Sequence, residues 1–67
     1  MVGVGAVIDF SLSRGLGEVQ LDGGEVLSFH ATAISGGSRD IAVGTRVVVE
    51  ARATHRGRLQ AAEVTPI

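Results

Sequence analysis

The stretch RGLGEVQLDGGEVLSFHATAI, Arg14 to Ile34, decides how the rest of the chain is read. It holds two short alternating runs joined by Asp22-Gly23-Gly24. Successive side chains of a strand point to opposite faces, so Leu16 and Glu18 fall on one side and Gly17 and Val19 on the other. In the second run the same period turns Leu27 and Phe29 toward the core, and Ser28 and His30 away from it. Asp-Gly-Gly tolerates the positive φ that a chain reversing between two twisted strands requires. The stretch is predicted to be a β-hairpin whose outer face carries the function.

Upstream, Val2 to Ser11 reads as a first strand, with Val7 facing the core and Ile8 and Asp9 beginning the outer face. Phe10, one of two aromatic residues, is expected to fill the core or close its end. Downstream, ATAISGGSRDIAVG from Ala31 to Gly44 reads as a loop with at most one helical turn near Ala31 to Ile34. Ile41 and Val43 are expected to tuck under the barrel. Gly44-Thr45 leads into the β-branched run Val47-Val48-Val49, a fourth strand. Its alternation puts Val47, Val49 and Ala51 inward, and Arg46, Val48, Glu50 and Arg52 on the opposite face. A polar link, Ala53 to Arg58, precedes a fifth strand from Leu59 to Val64, which Pro66 is expected to stop. Five strands with Gly-rich turns predict a small all-β antiparallel barrel whose closure leaves no exposed edge.

The hairpin resembles the paired ribonucleoprotein motifs of the bacterial cold-shock domain, a five-stranded OB-type barrel. That family has Lys-Gly-Phe-Gly-Phe-Ile, then Val-Phe-Val-His-Phe and a Ser-Ala-Ile tail. Gly15, Gly17, Val19, Asp22, Gly23, Gly24, His30, Ala33 and Ile34 match the pattern or stand in conservatively. Gln60-Ala61-Ala62 followed by Val64 is similar to the family's ending, so the resemblance runs from Gly5 to Val64. The aromatics are replaced: Leu16, Glu18, Ser28 and Ala31 fall where the family has Phe, and Asp9 where it has Trp. The loop aromatic is missing as well, with Ser38 its nearest counterpart. The resemblance implies a single-stranded DNA or RNA ligand. It places Arg14 where a family Lys contacts phosphate, against the plainer reading of a solvated turn charge. Arg39, Arg56 and Arg58 fall on loops that flank the family's binding face.

The 67 residues form one small domain, a size at which a core stabilises only marginally. With no cysteine there is no disulfide framework or thiolate metal site. Met1 is followed by neither a basic region nor a long apolar run, so a cytoplasmic protein without a membrane span is expected. Six Arg, no Lys and seven acids give a net charge of −1. That balance lacks the basic excess of a typical nucleic-acid binder, which makes the distribution of charge more informative than its sum.

Binding of single strands without strict sequence preference combines a positive groove with base stacking, roughly 1–3 kcal/mol per base. Of the family's stacking positions Asp9, Leu16, Glu18, Ser28, His30 and Ala31, only His30 keeps a ring. The missing stacks forfeit on the order of 4–15 kcal/mol, comparable to the roughly 8 kcal/mol of a micromolar complex. Carboxylates at Asp9 and Glu18 add repulsion. The expectation is therefore weak, salt-sensitive binding through Arg14, Arg39, Arg56 and Arg58 with His30, around a face formed by Leu16, Glu18 and Ser28. The alternative is a protein-interaction or self-association module, because Ile8, Leu16 and Val48 are aliphatics that alternation turns outward. Asp9 and Glu18 near His30 lack an accompanying nucleophile, so no enzyme is expected. Two histidines are too few for a metal site, and no cofactor is expected. Gly15 and Gly17 lack the third glycine and following helix of a dinucleotide-binding turn.

Overall fold

A computed structural model describes residues 1–67. The strands are β1 (Val2–Ser11), β2 (Leu16–Leu21), β3 (Val26–His30), β4 (Arg46–Ala53) and β5 (Leu59–Pro66). They form one five-stranded antiparallel sheet in the order β3-β2-β1-β4-β5. Two single-turn 3-10 segments, Ala31–Ala33 and Ser35–Gly37, interrupt the loop between β3 and β4. No helix is long and apolar enough to cross a membrane.

β1 is the strand that bends the sheet on itself. Its Val2 to Ala6 portion pairs with β4, while Gly5 to Ser11 pairs with β2. Where the two pairings overlap, Gly5 lies opposite both Leu21 and Val47. A Cβ there would run into the Gln20 carbonyl and sit 2.9 Å from the Leu21 Cα, so only glycine lets the strands approach this closely. The result is a small OB-like barrel, all-β as the sequence predicts.

In the hairpin, β2 and β3 pair as predicted, with Leu16 opposite His30 and Glu18 opposite Ser28, so the residues assigned to the outer face share it. Of the turn residues only Gly24 has a positive φ, 101°. Its N–H donates to the Leu21 carbonyl, and the Leu21 N–H donates to the Glu25 carbonyl, both at 2.8 Å. That is the three-residue connection in which a left-handed glycine closes the turn.

Alternation accounts for the core. Val7, Val19, Leu27, Phe29, Val47, Val49, Ala51 and Val64 are buried, joined by Leu21, Ala61, Ile34 and Ile41. Phe10 packs against this cluster and stacks on Phe29, ring centroids 6.0 Å apart and 13° from parallel. Gly17 lies between them in the same row of the sheet. A Cβ on Gly17 would sit 2.6 Å from the Phe29 ring and 2.8 Å from that of Phe10, so the missing side chain is what lets the rings meet.

Three details differ from the sequence reading. Val43 is 62% exposed instead of tucked under the barrel. It occupies the corner of a turn closed by the Thr45 N–H donating to the Ala42 carbonyl, followed by Gly44 with φ 94°, and a turn corner points outward. Pro66 does not stop β5 but pairs opposite Val47. β5 is an edge strand, and the Ile67 N–H bonds the Arg46 carbonyl, which leaves the nitrogen of residue 66 on the unpaired edge, where a missing N–H is harmless. Finally, the barrel is not closed: β3 and β5 face each other but are not hydrogen-bonded neighbours.

Candidate nucleic-acid interface

The outer face of the hairpin gathers the residues that sequence reading assigned to it. Glu18 stands between Asp9 on β1 and Ser28 on β3, and Leu16 between Ser11 and His30. All of these but the half-buried Ser11 are exposed. Asp9 reaches this row through a β-bulge, because the register slips between Val7 and Asp9 and Ile8 becomes the extra residue. The slip turns consecutive residues Ile8 and Asp9 outward and sets two carboxylates directly opposite each other. Arg14 borders the same shallow depression as Asp9 and Glu18, yet forms no ion pair with either.

Beside that face lies the open seam between β3 and β5. Its central cleft, about 490 Å³, is lined by His30 and Thr32 on one side and by Arg52, Thr54, His55 and Gln60 on the other. Ala33, Ala53, Ala61 and Ala62 complete the lining. Their short side chains cannot fill the gap, and a second bulge contributes: Glu50 pairs with Glu63 but Ala51 with Ala61, leaving Ala62 as the extra residue that bends β5.

Two further depressions continue the cleft. One, sharing Thr54 and Gln60 with it, holds Arg56, Arg58, Ser28 and Leu59. The other, sharing His30 and Thr32, holds Arg14 and Arg39 beside Ala31. Arg14, Arg39, Arg52, Arg56 and Arg58, every arginine but Arg46, and both histidines therefore line one continuous track. No carboxylate lines these three depressions, although the one holding Asp9 and Glu18 adjoins them at Ser28 and Arg14, and Glu50 bonds Arg52 at their margin.

Ion pairing occupies two of the six arginines. Arg46 donates through both terminal nitrogens to the two oxygens of Asp22, each at 2.9 Å, joining the hairpin turn to the start of β4. Hydrogen bonding by the Arg46 guanidinium, aided by its charge and only partly opposed by desolvation, holds the Asp22 carboxyl below its ordinary pKa. Arg46 is raised in turn, first by the bond to Asp22 and then by its charge. Arg52 bonds a single oxygen of Glu50 at 3.1 and 3.3 Å. These are the molecule's two ion pairs, so Arg14, Arg39, Arg56 and Arg58 keep their guanidinium groups unpaired.

The predicted residues thus divide between two regions. Leu16, Glu18 and Ser28 share the outer face, Arg39, Arg56 and Arg58 line the track, and Arg14, Ser28 and His30 border both. Sequence reading missed Arg52 and His55. It assigned Arg52 to the outer side of β4, correctly by alternation, but nothing in the sequence indicated that Arg52 would line a cleft with His30 and Thr32. No group of three or more His, Cys, Asp or Glu side chains is placed to hold a metal ion. In comparisons with known proteins, the chain matches no family model and no curated protein.

Proposed function

We propose that this protein is a cold-shock-like domain that binds single-stranded nucleic acid weakly, through arginines and His30, in the cytoplasm and without catalysis. The observation that carries this reading is the continuous track of five arginines and two histidines with no carboxylate in its lining. In a chain of net charge −1, such segregation leaves a local positive stripe that a phosphodiester backbone follows. The arginines add planar guanidinium groups, which contact phosphate in a bidentate manner and stack on bases. Leu16, Glu18 and Ser28 form the flank of the site, where the carboxylates keep the strand off the hairpin face. The test is a titration of labelled single-stranded DNA and RNA at low and moderate salt. Affinity should fall steeply with salt, and Arg58→Ala should reduce the slope of log affinity against log salt by about 0.7, the value for one phosphate contact on a single strand. A folded protein that binds no oligonucleotide at low salt would rule the reading out.

A second reading, self-association or a protein partner, has one observation in its favour. Val4 on β1 lies directly opposite Val48 on β4, and both are exposed, as are Val2 and Ile8 on the same strand. Sedimentation that shows a concentration-dependent dimer, abolished by Val48→Lys, would favour it.

A further inference from the structure

The central cleft differs from the two depressions beside it. Each neighbour offers a pair of arginines, Arg56 with Arg58 or Arg14 with Arg39. The cleft instead gathers Arg52, His30 and His55 over a floor of alanines in about 490 Å³, against about 390 Å³ in each neighbour. The geometry points to this cleft as a receptor for the terminal phosphate of a single strand, a phosphomonoester, with the adjoining nucleotide lying over the alanine floor. This inference rests on the nucleic-acid reading above and adds end recognition to it.

Charge and donor count carry the argument. An internal phosphodiester bears one negative charge, whereas a phosphomonoester bears about 1.5 to 2 near neutral pH and has three strong acceptor oxygens. Arg52 supplies a guanidinium fork, and each imidazole offers an N–H donor in either charge state. No carboxylate lines the cleft itself, and the one acid that opposes a dianion there is Glu50, bonded to Arg52. Glu50 holds Arg52 through one oxygen only, in a pair whose side chains are 42% and 70% exposed, so an incoming phosphate can replace it. A strand held by its end leaves along one arm of the track, while an internally bound strand crosses both.

The experiment compares hexathymidylate carrying a fluorophore on an internal base, with a 5′-phosphate, a 3′-phosphate or hydroxyl ends, under one moderate salt condition. Hydroxyl-ended heptathymidylate, one phosphodiester longer, controls for added charge. One phosphorylated end should tighten binding tenfold or more over the hydroxyl-ended hexamer, and the heptamer less than threefold. Arg52→Gln and His55→Gln, both exposed positions whose folding is checked by amide NMR spectra, should each erase that preference. Equal affinity for phosphorylated and hydroxyl-ended hexamers, or a preference that survives in both variants, overturns end recognition while leaving salt-sensitive binding intact. Absence of binding to every strand overturns both readings.

Discussion

The hairpin face and the β3–β5 seam adjoin at His30 and carry opposite charge. On the face, Asp9 and Glu18 stand opposite each other without a cationic partner. In the seam, arginines and histidines collect with no acid but Glu50, which bonds Arg52. Binding potential on this scaffold therefore depends on which side chains the two neighbouring surfaces carry, because the same strands border both. β3 contributes Ser28 and His30 to each, so a strand of nucleic acid kept off one surface still has the other within reach.

The strongest way to break the contrast is to rebuild the face. Leu16→Phe, Glu18→Phe and Ser28→Phe together place three rings in adjacent cross-strand positions and remove one carboxylate. At roughly 1–3 kcal/mol per recovered stack, single-strand affinity measured by anisotropy should rise by orders of magnitude. A folded triple variant that binds no better than the parent would mean that stacking on this face does not govern affinity.

Both regions depend on the Phe10–Gly17–Phe29 row beneath them, so Phe29→Ala should disrupt them together. Truncation of this fully buried ring should cost about 3–5 kcal/mol, enough to unfold most of a domain this small. Near-parental stability in urea would show Phe29 to be peripheral.

A smaller substitution sharpens the contrast. Glu18→Gln relieves the like-charge pair with Asp9 and should stabilise the fold by about 0.2–1 kcal/mol, the range for a cross-strand pair. It should also improve affinity at low salt, whereas Arg39→Ala in the track should weaken it. If Glu18→Gln leaves both stability and affinity unchanged, the two carboxylates do not interact across the strands.

The smallest effect belongs to the one arginine outside the track. Because Asp22 titrates lower in the folded protein than in the unfolded chain, its pair with Arg46 stabilises the fold above the ordinary carboxyl pKa and loses that contribution as pH falls through the folded value. Asp22→Asn should therefore lower Tm slightly at neutral pH and not at strongly acid pH, with no change in nucleic-acid affinity. A loss of affinity in this variant would extend the site to β4's first residue.

Which side of each strand faces inward is legible in the residues alone, since period-two alternation is a local property: the inward set Val7, Val19, Leu27, Phe29, Val47, Val49 and Val64 is buried throughout. The same alternation places Leu16, Glu18, Ser28 and His30 on the outer face, whereas which of them meet across the hairpin follows from the three-residue turn closed by Gly24. That β3 and β5 face each other without pairing, and that Arg52 and His55 join His30 in the seam between them, emerges from the folded barrel. Those residues are more than twenty positions apart in the chain, and no local pattern encodes their distance. It follows from the summed twist of five strands and from single extra residues at Ile8 and Ala62, each of which turns a strand through an angle that alternation does not express.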